Sequence, residues 1–316
     1  MSTNQPELHV VLGSGPAGST LAAELQRRGH TVRLVDRRAA SEPMPGIELV
    51  AADLSDKAAA VEATAGADVI YHCVNVAYHL QVELMPLLGS AILHAAVINQ
   101  ARLVVMDTLY PYGPGDGSPM TEQTPWAAIT RKGRLRAMLD QMYLDAHTSG
   151  KASVVAGRAA DFYGPGVTNS TLAGAVFPAA LTGQPVLTLG DIDLPHSYTY
   201  IRDVAAGLAT LGEHPDTDGR IWHLPTAPVH TTRQILDLLA EQADRPLTTH
   251  NLPTAQAYGP FDEKFMAEYD EMFYQHTTVQ NMSSTAFEER FDASPTSLEE
   301  GIGATVGWYR ERLGQW

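Results

Sequence analysis

The stretch "LHVVLGSGPAGSTLAAELQRRGHTVRLVDRR" constrains this chain more than any other. Leu8–Leu12 is a short apolar run, suited to a buried parallel strand. A turn follows that carries Gly13, Gly15 and Gly18, with Pro16 and Ala17 between them. Ser19–Arg28 then reads as a helix with Leu21, Ala22 and Leu25 facing inward, and Gly29 suits its end. Thr31–Val35 reads as a second strand, with Asp36 at its tip. Glycines let the backbone turn tightly and approach a pyrophosphate, and a helix N-terminus offers it N–H groups and a positive dipole end. Asp36 can accept hydrogen bonds from the adenine ribose. The glycines alone are a weak signal, but in this setting they read as a dinucleotide site. Asp36 favours NAD, because a carboxylate repels a 2′-phosphate. Arg37 or Arg38 would suit the extra phosphate of NADP, so both cofactors stand at this point.

The alternation continues. "GIELVAADLSD" reads as a third strand ending near Asp53, "KAAAVEATAG" as a helix, and "ADVIYHCVN" as a fourth strand ending at His72–Asn75. "ELMPLLGSAILHAAVINQ" reads as a long helix that tolerates Pro86 near its start, and "ARLVVMDT" as a fifth strand. This spacing predicts an α/β chain: a Rossmann-type, doubly wound parallel sheet with a smaller C-terminal substrate domain. Ligands of such sheets lie at the C-terminal ends of the strands, which brings Asp53, His72, Val74, Asp107 and Thr108 into view together.

Composition narrows the function. The net charge of −15 argues against a general nucleic-acid surface. Basic residues nevertheless cluster at Asp36–Arg38 and in "RKGRLR", Arg131–Arg136, which read either as solvated faces or as anion-binding patches. No apolar run is read as reaching the roughly 18 residues a membrane helix needs, and "MSTNQPELHVVLG" has no leader pattern. Cys73 is the single cysteine. These features point to the cytoplasm. The 12 histidines show no metal-binding spacing, so no metal is expected.

Later motifs resemble the extended short-chain dehydrogenase/reductases, the NAD-dependent epimerase/dehydratase family, over most of the chain. Asp53-Leu54 matches the family's third-strand D-L, and "VIYHCVN" is similar to its fourth strand. "DTLYPYG" is similar to S-S-x-x-x-Y-G, with Thr108 at the hydroxyl position and Tyr112-Gly113 at the Y-G. "RAADFYGPG", Arg158–Gly166, resembles R-x-x-N-x-Y-G-P-G, and "YIRDVA", Tyr200–Ala205, resembles Y-[IV]-x-D-V-A. "PTSLEEGI" also fits. The glycine turn departs from the usual G-x-x-G-x-x-G, since Leu12 stands at the first place. The resulting "GSGPAG" is also similar to FAD-binding chains, but the later motifs disfavour a flavoprotein.

A second departure concerns catalysis. The family pattern Y-G-x-S-K-x-x-x-E falls on Lys132-Gly133-Arg134-Leu135-Arg136, with Asp140 at the acid. No tyrosine in the chain has a lysine four places on, so the pair is absent rather than displaced. The resemblance gives the tyrosine the proton transfer, the lysine the nicotinamide ribose, and the Ser/Thr hydroxyl the substrate oxygen. Arg136 can still hydrogen-bond a ribose, though it cannot lose its proton. Lys132, one turn earlier on the same face, offers an ammonium as replacement acid. Tyr110, Tyr112 and Tyr163 are the other acid candidates by motif position.

The expected divisions are a dinucleotide domain over 1–165, with 198–225 returning to it, and a substrate domain over 166–197 and 226–316. "TNSTLAGAVFPAALTGQPVLTLGD" reads as a helix between polar turns, and a helix is expected from Thr231–Thr232. The aromatic and methionine-rich "AYGPFDEKFMAEYDEMFYQH" reads as core, dimer face or apolar pocket. The resemblance implies a substrate between Thr108, the Lys132–Arg136 helix and a C-terminal lid, with Tyr110 and His196 touching it, and a homodimer. His196 stands where sugar-nucleotide enzymes of the family often present an arginine to a diphosphate, which disfavours such a substrate. The expected function is an NAD(P)-dependent oxidoreductase or epimerase acting on a small organic molecule with an altered acid/base group. A lyase, dehydratase or isomerase without net redox, or a non-catalytic NAD(P)-binding regulator, are the alternatives.

Overall fold

The computed structural model describes residues 7–38, 44–259 and 261–314; the first six residues, read above for a leader, lie outside that set. The chain divides into two compact units. The first comprises residues through Asp107, then Leu135–Arg158 and Val204–Trp222. The second comprises Thr108–Arg134, Ala159–Asp203 and the residues from His223 onward. Segment 108–134, expected with the dinucleotide domain, thus groups with the second unit.

The first unit is built on a seven-stranded sheet. Its strands are β1 (Leu8–Leu12), β2 (Thr31–Asp36), β3 (Ile47–Ala51), β4 (Val69–His72), β5 (Arg102–Thr108), β6 (Val154–Ala159) and an edge strand, Ile221–His223. The order runs edge strand, β6, β5, β4, β1, β2, β3. β1 lies parallel between β2 and β4, with Leu12 opposite Val35 on one side and His72 on the other. The chain therefore steps outward from β1 to β3 and returns to β4 on the far side of β1. That reversal opens a crevice at the strand ends, where ligands of such sheets bind.

Local chemistry explains the elements. Val10, Val11 and Leu12 are fully buried, as a central strand requires. Helix α1 (Pro16–Arg27) begins at the proline, three residues before the expected start, because proline needs no N–H partner in a first turn. Helix α2 (Lys57–Ala63) is capped by Asp56, whose side chain accepts from the Ala59 amide. Helix α3 (Gln81–Asn99) runs through Pro86. Tyr78–Asn99 is in fact long and apolar enough to cross a membrane, which corrects the sequence reading. Its Met85, Leu88, Ala91, Ile92, Ala95 and Ala96 pack into the core of this unit, which accounts for part of its apolarity. Helix α4 (Arg131–Thr148) places Leu135, Leu139 and Tyr143 in the same core.

The second unit holds three two-stranded pairings: Tyr198–Tyr200 with Asp161–Tyr163, His230–Thr231 with Pro195–His196, and Thr249–Leu252 with Val186–Leu189. The segment after Thr168, expected as a helix between polar turns, contains a helix and then a strand. Only Phe177–Thr182 is helical; Gly183, at φ +75°, ends it, and the β-favouring "VLTL" becomes a strand. The helix from Thr232 starts as expected, with a capping box between Thr231 and Gln234.

Arg102 shows how the sheet holds the chain that returns to it. Its side chain is nearly buried and donates to Asp218 Oδ1 at 2.7 Å, the carbonyls of Leu211, Gly212 and His214, and Thr217 Oγ1. Those carbonyls lie at the end of helix Ile201–Glu213, where its dipole is negative. Arg102→Ala strips several buried acceptors at once and should cost about 3–5 kcal/mol in denaturant unfolding. Arg102→Lys should restore less than half of that, because an ammonium cannot present the guanidinium's fork.

Candidate active site and its cofactor turn

The turn after β1 is held by close backbone approach. Gly13 has φ +98°, and a Cβ there would lie 2.9 Å from the Cys73 carbonyl oxygen at the end of β4. A Cβ on Gly18 would lie 1.9 Å from the Gly13 carbonyl oxygen. Gly15 is different: nothing lies within 4 Å of its Cβ position, which leaves open space at the N-terminus of α1. The first turn there, Pro16, Ala17 and Gly18, contains the backbone groups that a helix leaves unpaired. Asp36 closes the turn, accepting from both the Ser14 amide and hydroxyl at 2.7 Å. Burial would raise its pKa, but those bonds and the Arg37 and Arg38 amides hold it below the usual carboxylate range. Arg37 and Arg38 are exposed. Asp53 is exposed and bonded to Ser55, Leu54 is buried beneath it, and Val74 is half-buried at the end of β4. An open helix N-terminus, a tight glycine turn and an ionised acid fit a dinucleotide.

Beyond β4 lies a polar cluster that joins the exposed Asn75 to the buried Arg136 and Gln81. Asn75 Oδ1 accepts from Arg136 Nη2 at 3.0 Å and from Gln81 Nε2 at 3.2 Å. Arg136 Nε, Gln81 Oε1 and Tyr143 Oη are buried, and among the described residues they have no hydrogen-bond partner. Such orphaned atoms are uncommon unless a ligand or water completes them. His72, beside this cluster, is pushed down to about 3 by burial and then by the Arg136 charge. Burial lifts the Tyr143 phenol.

Arg136 is aimed by an ion triad one turn away. Arg158, fully buried on β6, donates from Nε to Asp107 Oδ2 and from Nη2 to Asp140 Oδ2, each at 2.6 Å. One guanidinium serves two carboxylates, so burial and Asp107 push Asp140 well above the usual range. Asp140 sits on α4 four residues after Arg136.

The other catalytic candidates have defined surroundings. Lys132 is fully buried, and its ammonium meets Glu271 Oε1 at 2.7 Å, Glu268 Oε2 at 2.8 Å and the Glu268 carbonyl at 3.0 Å. Three acceptors match its three hydrogens. Tyr112 bonds His223 Nε2 at 2.7 Å, while His223 Nδ1 faces the Ser283 carbonyl. A carbonyl only accepts, so Nδ1 carries the proton and Tyr112 donates to Nε2. Tyr163 is fully buried against Tyr200, and a Cβ on Gly301 would lie 2.3 Å from its hydroxyl. Thr108 and Tyr110 are both half-buried, with the Tyr110 amide 3.4 Å from the Thr108 hydroxyl.

His196 belongs to a group that sequence spacing did not reveal. Its Nε2 meets Asp161 Oδ2 at 3.1 Å, and Thr171 donates to the same oxygen. Its ring stacks on His276 at 5.8 Å, and His276 Nε2 meets Tyr269 Oη at 2.7 Å. Burial, then His196, pushes His276 down to about 4. Burial would raise Asp161, but the His196 bond and charge hold it low. One signal was legible: Asp161 stands where the R-x-x-N-x-Y-G-P-G pattern has asparagine. Asn75, Gln81 and Tyr143 had none, being ordinary helix and strand-end residues until the fold brings them around Arg136.

A family model described as the NAD dependent epimerase/dehydratase family matches residues 10–224. The chain belongs to that family. Among curated relatives, it is 27% identical over 279 residues to a dTDP-6-deoxy-L-talose 4-dehydrogenase (NAD(P)(+)) of Kitasatospora kifunensis, covering 80% of this chain and 84% of that one. It is 24% identical over 322 residues to a UDP-N-acetyl-alpha-D-glucosaminuronate decarboxylase of Bacillus cytotoxicus, covering 95% and 96%. A dTDP-glucose 4,6-dehydratase from Bacillus anthracis, solved with NAD, superposes with a TM-score of 0.81 at 15% identity, covering 98% of each chain. A UDP-glucose 4-epimerase from Thermus thermophilus, solved with NAD, gives 0.78 at 22% identity, covering 96% and 99%. The family's enzymes depend on a nicotinamide dinucleotide.

The buried histidines set a pH dependence. His72 and His276 have folded pKa values below the ordinary 6.5, so the unfolded chain takes up protons first. Their contribution is complete above about pH 6.5 and is lost as pH falls, by at most about 1.4 kcal/mol per pH unit for each residue. Urea unfolding at about pH 7 and about pH 5 should show that loss, and His72→Asn should flatten it. An unchanged slope in His72→Asn would mean that His72 is not the neutral residue described.

Proposed function

We propose that this family member is an NAD-dependent oxidoreductase or epimerase-like enzyme acting on a small organic substrate, in which Arg136 takes over the ribose-holding role of the missing lysine. The observation that carries this reading is the buried Arg136 guanidinium, with one bond to Asn75 and its Nε unpaired. A nicotinamide ribose hydroxyl is an acceptor of the right kind. Gly13, Gly15, Pro16, Ala17 and Gly18 would receive the pyrophosphate, and Asp36 the adenine ribose. Asp53, Leu54 and Val74 would flank the adenine and the chain beyond it. The ionised state of Asp36 favours NAD over NADP; Arg37 and Arg38 stay in solvent. When bound, the cofactor supplies a hydride acceptor and donor.

Among the acid/base candidates we assign the proton transfer to Tyr110 with Thr108, whose hydroxyl lies 3.4 Å from the Tyr110 amide. Lys132 is committed to two glutamates and a carbonyl, Tyr112 to His223, and Tyr163 to packing. Lys132 then serves as a positioning residue that ties the start of α4 to Glu268 and Glu271. Thr108 orients the substrate oxygen, and Tyr110 exchanges the proton. The charge on Asp161 beside His196 disfavours a substrate bearing a diphosphate, and His196 contacts the substrate's neutral polar groups. Val82, Leu87, Val97 and Ile98 on α3 and Met138 on α4 are exposed and apolar, which supports a homodimer. The single cysteine, Cys73, is half-buried and suits a reducing cytoplasm.

Titration with NADH tests the cofactor claim. Arg136→Met should weaken binding about tenfold or more, since a charge-assisted bond contributes roughly 1.5–3 kcal/mol. Lys132→Met should lower thermal stability while leaving NADH affinity within about twofold. A loss of NADH affinity in Lys132→Met equal to that in Arg136→Met would reverse the two roles. Once a substrate is found, Tyr110→Phe should lower kcat by about a hundredfold or more with little change in cofactor affinity. Comparing nicotinamide absorbance with product formation then separates net redox from transient redox.

A further inference from the structure

At the other end of β1, away from the glycine turn, lies a second cluster that the proposed chemistry does not use. Glu7 directly precedes β1, and His9 is on it. His30 directly precedes β2, and the parallel ladder sets Leu8 opposite Thr31. The Thr31 amide donates to the Glu7 carbonyl at 3.2 Å, which fixes the two strand starts side by side. One ligand atom from each of Glu7, His9 and His30 lies within 4.8 Å of the other two. His9 Nε2 is 3.4 Å from Glu7 Oε2, and the two imidazole centroids are 3.9 Å apart. His30 Nε2 is also 2.9 Å from Glu213 Oε1, so a second carboxylate is in reach.

We propose that Glu7, His9 and His30, with Glu213 beside His30, form a site for a divalent transition metal of the zinc class. Two imidazoles and a carboxylate are a borderline donor set that suits such ions rather than calcium or magnesium. Metal–ligand bonds of about 2.0–2.2 Å in a tetrahedron put donor atoms about 3.4 Å apart, close to the His9–Glu7 separation. The outer partners are also of the expected kind. His9 Nδ1 meets Tyr71 Oη at 2.9 Å, which orients the ring and leaves Nε2 facing Glu7. Arg28 holds the other oxygen of Glu213 at 2.6 Å. Access is open from one side: His9 is fully buried, while His30 is 19%, Glu213 26% and Glu7 60% exposed. No spacing in the sequence announces these residues, because they come from two strands and a distant helix. A metal here would clamp the starts of β1 and β2 to the end of helix Ile201–Glu213, a structural role separate from hydride transfer.

The test uses the full chain without a histidine tag, stripped of metal by a chelator. Calorimetric titration with Zn2+ should give one site of micromolar affinity or tighter, together with a higher melting temperature. Glu7→Gln and His30→Gln should each weaken binding about tenfold or more. His94→Gln, at an exposed histidine outside the cluster, should leave it unchanged. Both ligand variants alter partly exposed side chains, and circular dichroism confirms that they fold. Absence of binding at millimolar Zn2+, or binding that His94→Gln weakens as much as His30→Gln does, would overturn the proposal.

Discussion

The site described for this chain depends on a single buried cation. Arg158 sits between Asp107 at the end of β5 and Asp140 on α4, and ties both to β6. Two carboxylates around one guanidinium cannot both be ionised cheaply in a buried place, which is why Asp140 is pushed well above its ordinary range. The arrangement is rigid because every partner is nearly inaccessible to water, and removing any one leaves a buried charge. The rotation of α4 follows from it. With Asp140 fixed on the sheet, Arg136 one turn earlier faces the end of β4, where Asn75, Gln81 and Tyr143 gather.

Arg136 thereby keeps a buried charged group on α4, bonded to Asn75 beyond the end of β4. A guanidinium is longer and planar, and it has five donors. Asn75 takes one of them, and Nε has no partner among the described residues. A lysine there would need less support. Lys132 is held differently, its ammonium shared by Glu268 and Glu271. The two basic residues are therefore physically unequal, although the sequence presents them as a matched pair.

Much of the fold was legible because its signals are local. The Leu8–Leu12 strand, the glycine turn and Asp36 follow from strand burial, backbone freedom and a helix start marked by proline, all readable over thirty-odd residues. The Thr231–Gln234 capping box is equally local. Where competing signals met, the reading failed: "VFPAALTGQPVLTLGD" has helix-favouring residues first and β-branched ones after Gly183, and only Phe177–Thr182 became a helix. The sequence shows α3 as a long helix but no apolar run of membrane-spanning length, yet Tyr78–Asn99 is long and apolar enough, because a core helix needs the same side chains. The polar clusters were least legible. Asn75 meets Arg136 across 61 positions, and Lys132 meets Glu271 across 139, distances at which sequence pattern carries no information.

The central claim is that Arg136 holds the nicotinamide ribose. A crystal structure of the chain with NAD tests it most directly. The account predicts an Arg136 guanidinium nitrogen within hydrogen-bonding distance of a nicotinamide ribose hydroxyl, with Lys132 still enclosed by Glu268 and Glu271. A ribose bonded instead by Lys132, with Arg136 still paired only to Asn75, would contradict it.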